Sequence, residues 1–244
     1  MQQKTICQGC WEQMHVPIPI RGPFSYLFKA VGIKKSQMHP NLCTICESMF
    51  TKVKKHKQIE VATTILFADL RGYTHLSQSI DPSVMNEVLN DFYDCASNAV
   101  WENEGIVNKF IGDAVLAIFN FPLVRKDHVQ NAVKAAMQLQ EQCRDIKTRV
   151  GLNADHTLGV GVGIHTGTCN IGEVGNSYKD FTAIGSTVNL ASRLQGAALS
   201  GEILITGDVY TCVKNEFPSL KSKKLQLKGI DDPVTGYVID KVLF

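Results

Sequence analysis

The chain carries hydrophobic runs of two periods. VATTILFAD (61–69) is apolar and β-branched and ends at an acid, which predicts a buried strand. Asp81-Pro82 offers a helix start with proline in the first turn. From there Val84, Met85, Val88, Leu89, Phe92, Ala96, Ala99 and Val100 recur at helical spacing as far as Gly105. IVNKFIGDAVLAIF (106–119) reads as strand, turn at Gly112-Asp113, strand. A second amphipathic helix is predicted over 127–146, through Val129, Ala132, Val133, Ala136 and Cys143. HTLGVGVGIHTGTCNIGEVG (156–175) predicts two strands joined around His165–Gly167. Helices near 186–198 and 207–214 and strands near 223–228 and 235–240 complete the chain. Strands in hairpins, interrupted by helices without strict βαβ alternation, predict an α+β sandwich.

The first 57 residues follow neither period. Three of the eight prolines fall in HVPIPIRGPF, and Cys7-x-x-Cys10 and Cys43-x-x-Cys46 bracket the segment. Residues 1–57 hold nine Lys and Arg against two Glu, a net +7, whereas the remainder is −5, so the overall +2 conceals two unlike parts. We therefore expect a Cys-rich module over 1–57, ending in the basic run Lys52–Lys57, and one larger domain over 58–244. No apolar run approaches the roughly 20 residues of a membrane span. The start lacks the apolar stretch of a secretory signal. A cytoplasmic protein with reduced thiols and no membrane span is expected.

Four thiolates are the ligand set of a closed tetrahedral Zn²⁺ site. Here 32 residues separate the pairs, more than the usual spacing of about 15–20. An iron–sulfur cluster at Cys7, Cys10, Cys43 and Cys46, or a redox-active pair, stays open at this point. Phe24, Tyr26 and Phe28 read as the module's core, and KVKKHK as a solvated linker rather than a nucleic-acid contact.

Asp69 ends the first strand and Asp113 lies in the hairpin turn. Acids at adjacent strand ends suit a hard cation that takes oxygen ligands. Taken singly, each is equally well a cap or turn residue. FADLRGYT (67–74), KFIGDAVLAIF (109–119), GIHTG (163–167) and FTAIGSTVNLASRL (181–194) occur together and in this order. With them the chain, over about 60–240, resembles the class III nucleotidyl cyclases, which implies their ferredoxin-like fold and their chemistry.

The resemblance implies that Asp69, Asp113 and the Leu70 carbonyl hold two Mg²⁺ (or Mn²⁺). Asn189 and Arg193, on one helix face, would orient the ribose and stabilise the transition state. Lys109 and Thr182 would read the base and Lys228 would hold the triphosphate. The backbone of Leu70, Arg71, Gly72 and Tyr73 would cradle phosphate. It also implies a head-to-tail homodimer, with the aspartates from one protomer, the Asn/Arg pair from the other, and GNSYKDF (175–181) as a dimerisation arm. Lysine at 109 favours ATP. Threonine both donates and accepts, so GTP or a pyrimidine triphosphate remains an alternative substrate. A zinc-containing protein that binds nucleotide without turnover is the rival reading. His165 reads as structural, and GVGVG (159–163) opens no helix, so it is no dinucleotide fingerprint.

Overall fold

The computed structural model describes residues 4–47, 59–153, 156–177 and 179–240. The basic run 52–57 and the expected boundary at 58 lie outside them. Within 59–240 the elements run β1 (Ile59–Arg71), α3 (Tyr73–Leu76), α4 (Pro82–Glu102), β2 (Ile106–Ile111), β3 (Ala114–Phe119), α5 (His128–Gln142), α6 (Ile146–Arg149), β4 (Gly159–Val174), β5 (Asp180–Ile184), α7 (Ser186–Ala197), β6 (Ile203–Thr206), α8 (Gly207–Val213), β7 (Lys221–Leu225) and β8 (Val234–Ile239). The sheet order is β2-β3-β1-β4-β6-β8-β7, with β5 paired to β4. Strands β1 to β4 with α4 and α5 make an antiparallel ferredoxin-like βαββαβ unit, and β6 joins it parallel to β4. The α+β expectation holds.

Side-chain alternation sends the two edges of each strand to different layers. Leu66, Ala68 and Leu70 of β1 face α4 and α5, where Phe92, Val88 and Leu139 are buried. Phe92 is 0% exposed, and burying such a ring contributes on the order of 2–3 kcal/mol. Ile65 and Phe67 point the other way, into a second core shared with the N-terminal segment. Asp81 caps α4 by accepting from the Ser83 amide at 2.8 Å.

Strand β4 corrects the expectation of two strands, because it runs unbroken for 16 residues through His165–Gly167. His165 is therefore mid-strand rather than in a connection. Its Nδ1 meets Thr206 Oγ1 at 2.9 Å, and burial holds its pKa below the ordinary value. The glycines of this strand have a reason that the pattern concealed. Val160, Val162 and Ile164 face the α4/α5 core, while Gly159, Gly161 and Gly163 line the opposite face. A Cβ on Gly163 would overlap the backbone of Ala191 and Gln195, and one on Gly161 would overlap the Arg71 guanidinium. The glycines seat α7 directly on the sheet. Gly163→Ala is expected to lower stability by about 1–3 kcal/mol through overpacking, read as a fall in Tm; an unchanged Tm would contradict this packing.

The N-terminal segment carries α1 (Gln8–Met14) and α2 (Ser25–Ala30). It docks at the base of the β2–β3 hairpin. The Met38 carbonyl accepts from Trp101 Nε1 at 2.6 Å and from the Val107 amide at 3.2 Å. Gln13 donates to the Pro122 carbonyl at 3.1 Å. Arg125 bridges Glu12 of the segment to Glu104 of the larger domain. The expected aromatic core of the module is not there. Phe24 is 70% and Tyr26 73% exposed, and of the three aromatics only Phe28 packs against the second core. What the segment buries instead is its four cysteines with Ile18, Ile20 and Leu42. Among the described residues no helix is long and apolar enough to cross a membrane.

Candidate active site

Asp69 and Asp113 meet because β1 and β3 pair in register, Asp69 opposite Ala114. The Leu70 amide donates to the Asp113 carbonyl at 3.0 Å, which closes the hairpin turn onto the end of β1. Tyr93 donates its hydroxyl to the Gly112 carbonyl at 2.6 Å and stacks on Phe110, holding the turn from the α4 side. Gly112 sits at φ 60°, in the left-handed region that glycine adopts freely.

Burial, with a further push from Asp113 and against the pull of Arg71, raises the Asp69 carboxyl from 3.8 to about 6. Two acids in mutual repulsion, one of them half-buried, are the donor set that a divalent cation relieves. The residues therefore fit Mg²⁺ or Mn²⁺. A folded-state pKa above the unfolded one means that the metal-free fold loses stability as pH rises from 3.8 to about 6. A cation competes with the proton in the same window. The half-saturating Mg²⁺ concentration for activity is thus expected to rise as pH falls through about 6; a value unchanged on either side of that pH would contradict the pairing.

Arg71 has a role the motif did not disclose. Its Nη1 bonds Asp69 at 3.0 Å, its Nε bonds the Ala198 carbonyl at 3.1 Å, and its Nη2 bonds the Gln195 carbonyl. It ties the acid to the carboxyl end of α7, in the space that Gly161 leaves. The cradle expected from Leu70–Tyr73 is narrower than the motif implied. The Leu70 amide is bonded to Asp113, Arg71 still belongs to β1, and α3 begins only at Tyr73, after Gly72 at φ 88°. Gly72 and Tyr73 are the residues that open this helix.

A second group forms where β2 approaches β5. Lys109 pairs with Asp180. Thr182 Oγ1 lies 3.1 Å from Asn108 Oδ1, and Asn108 Nδ2 donates to the Phe181 carbonyl at 2.9 Å. Lys109 and Thr182, both expected to read the base, thus lie in one polar group together with Asn108 and Asp180.

The third group faces outward. Asn189 and Arg193 are exposed on the face of α7 opposite buried Thr187, Ala191 and Leu194. Among the described residues no hydrogen bond or ion pair joins either one to Asp69 or Asp113. Lys228 is exposed in the turn between β7 and β8, next to Gly229 at φ 75°.

In the N-terminal segment Cys7, Cys10, Cys43 and Cys46 converge, with all four sulfurs within 4.8 Å of one another. The Cys7–Cys46 separation is 3.5 Å, Cys10–Cys43 and Cys10–Cys46 are 3.4 Å, and Cys43–Cys46 is 3.9 Å. These are too long for disulfides. A tetrahedral Zn²⁺ with Zn–S bonds of about 2.3 Å sets its sulfurs about 3.8 Å apart, so the cluster fits a single metal ion. An iron–sulfur cluster places several irons between the thiolates and needs more room than this. Gly9 is required here, since a Cβ would come within 2.8 Å of Cys46 Sγ and 3.0 Å of Leu42. Burial pushes the Cys10 thiol up to about 12, a cost that a bound cation would offset by holding the sulfur as thiolate.

Comparison with known proteins identifies the family. The family model for the adenylate and guanylate cyclase catalytic domain matches residues 53–241. An adenylate cyclase of Anabaena cylindrica is 34% identical over 186 residues, covering 72% of this chain and 36% of that protein. Guanylate cyclase 32E of Drosophila melanogaster is 29% identical over 170 residues, covering 66% of this chain and 14% of that one. The chain thus spans about a third or less of the length of these relatives. Among solved structures, the adenylyl cyclase CyaB from P. aeruginosa superposes with a TM-score of 0.69 at 29% identity, covering 75% of this chain and 96% of that one. The guanylyl cyclase Cya2 does so with a TM-score of 0.67 at 26% identity, covering 74% and 92%. The fold, the order of the motifs and the family match coincide: this chain belongs to the adenylate and guanylate cyclase catalytic-domain family, the class III nucleotidyl cyclases.

Proposed function

We propose that residues 58–244 form a catalytic domain that converts ATP to 3′,5′-cyclic AMP and pyrophosphate at two equivalent sites of a head-to-tail homodimer. The observation that carries this reading is the division of the chain's chemistry. Asp69 and Asp113 converge at one strand end, while Asn189 and Arg193 stand exposed on α7 and, among the described residues, form no hydrogen bond or ion pair with them. A second copy would supply the missing half of each site.

The reaction needs the ribose 3′-hydroxyl, a weak nucleophile, to attack the α-phosphorus in line with the departing pyrophosphate. Asp69 and Asp113, with the Leu70 carbonyl, would hold two divalent cations, which when bound lower the pKa of that hydroxyl and neutralise the triphosphate. Asn189 orients the ribose so that the oxygen faces phosphorus. Arg193 presents a permanently charged, planar donor fork to the phosphoryl oxygens as charge builds there. Lys228 and the residues opening α3 take the terminal phosphates. Lys109 donates to the ring nitrogen of adenine. The dimer arm would be the β4–β5 hairpin, whose strands pair over Asn170–Val174 and Asp180–Ile184.

The four cysteines are proposed to bind one structural Zn²⁺ and to make residues 1–57 a module on the catalytic domain. Turnover of ATP, GTP, CTP and UTP with Mg²⁺, followed by cyclic nucleotide and pyrophosphate release, tests the function. ATP is expected to give the highest kcat/KM. Preference for GTP, in line with the relatives named guanylate cyclases, would replace the base assignment. Nucleotide binding without pyrophosphate release would support the non-enzymatic rival.

A further inference from the structure

We propose that Asn108 is a positioning residue for base selection, which through the Thr182 hydroxyl makes the site accept the edge of adenine and reject that of guanine. The proposal rests on the reading of Lys109 and Thr182 as base-facing groups and adds to it the reason a threonine can discriminate.

Strand alternation would send Asn108 and Lys109 to opposite faces of β2. The β2–β3 register slips between Val107 and Lys109, and such a bulge re-aims side chains. Both residues consequently reach β5, Lys109 to Asp180 and Asn108 to Phe181 and Thr182. The Phe181 carbonyl can only accept, so the amide nitrogen of Asn108 must face it, at 2.9 Å. That orientation turns Oδ1, an acceptor alone, toward Thr182 at 3.1 Å. The Thr182 hydroxyl has one proton and two acceptors within reach, Asn108 Oδ1 at 3.1 Å and the Ala183 carbonyl at 3.4 Å; the shorter contact, to Asn108, takes it. Only its lone pairs then remain for a base. Lys109 has the opposite limitation, since an ammonium only donates, and its bond to Asp180 anchors it beside Thr182.

The pair therefore displays one donor and one acceptor. Adenine complements it, with N1 accepting and the N6 amino group donating. Guanine inverts both, with N1–H donating and O6 accepting. A free threonine hydroxyl would rotate to donate to O6 and tolerate guanine; the one held by Asn108 cannot without breaking a partly buried hydrogen bond.

The experiment measures kcat/KM and dissociation constants for ATP and GTP in the full chain, for wild type, Asn108→Ala, Asn108→Asp and Thr182→Val. Asn108→Val, suited to a strand and lacking an acceptor, replaces alanine if that variant fails to fold. The apolar variants are expected to lower the ATP:GTP ratio by about tenfold, mainly by admitting GTP, the size of one neutral hydrogen bond. Asn108→Asp keeps an acceptor toward Thr182 but gives up the donor that faces the Phe181 carbonyl, and is expected to hold the ratio closer to wild type than the apolar variants do. If Thr182→Val changes the ratio but the apolar Asn108 variants do not, the proposal is overturned and the base-reading assignment survives. If Thr182→Val leaves the ratio unchanged, or wild type prefers GTP, both fall together.

Discussion

Arg193→Ala is expected to lower kcat by about two to three orders of magnitude while KM for ATP changes only a few-fold, the loss typical of removing one donor to a developing oxyanion. The side chain has no structural work to lose. It is exposed on α7, and the buried contacts of that helix are made by Thr187, Ala191, Leu194 and Gln195. Its removal should leave Tm within about 1 °C, as for surface substitutions generally. Arg193→Lys keeps the charge but not the bidentate fork, and should recover only part of the rate. Steady-state kinetics with a parallel melt checks this; a variant with near-normal kcat would remove Arg193 from the reaction.

Loss of the cysteine cluster should be the largest effect on stability. Structural zinc sites contribute an apparent ~10–16 kcal/mol at neutral pH in small fingers, comparable with the roughly 5–15 kcal/mol that holds a whole domain. Here the cluster is contiguous with the core formed by Ile65, Phe67, Leu116 and Ile118, so its collapse uncovers one face of the sheet. Cys10→Ser or Cys43→Ser is expected to lower Tm by about 10 °C or more and to abolish metal retention. Cys212→Ser, at an exposed position, should do neither. Metal analysis is expected to find one zinc per chain. A chain that retains no metal, with a Tm indifferent to chelator, would contradict the assignment.

Periodicity was sufficient for the elements whose burial is one-sided. The hairpin 106–119 and helices α4, α5 and α7 lie where the pattern put them, because each presents one apolar face to a core. Strand β4 was misread because its glycines resemble a turn. Their true cause, the backbone of α7 pressed against the sheet, is a long-range contact that no local pattern encodes. The same holds for Arg71, which sits inside a legible motif but whose partners lie 124 and 127 residues away. Phe24 and Tyr26 were expected inside on hydrophobicity alone; the small module has too little interior for them once four cysteines occupy it. The acids, Lys109, Thr182, Asn189 and Arg193 were legible only as an ordered set of motifs, since each alone has an ordinary structural explanation. Asn108 was not legible at all, because its effect depends on a bulge and on which way an amide faces.

The most direct test of the account is complementation between two inactive variants. Asp113→Ala lacks the acid half of every site and Arg193→Ala lacks the donor half. Mixed in equal amounts and allowed to exchange subunits, half of the dimers pair the two variants, and each such dimer has one intact site. Head-to-tail pairing of two composite sites requires recovery of about a quarter of wild-type activity from two preparations that are each nearly inactive. A mixture no more active than its components would contradict it.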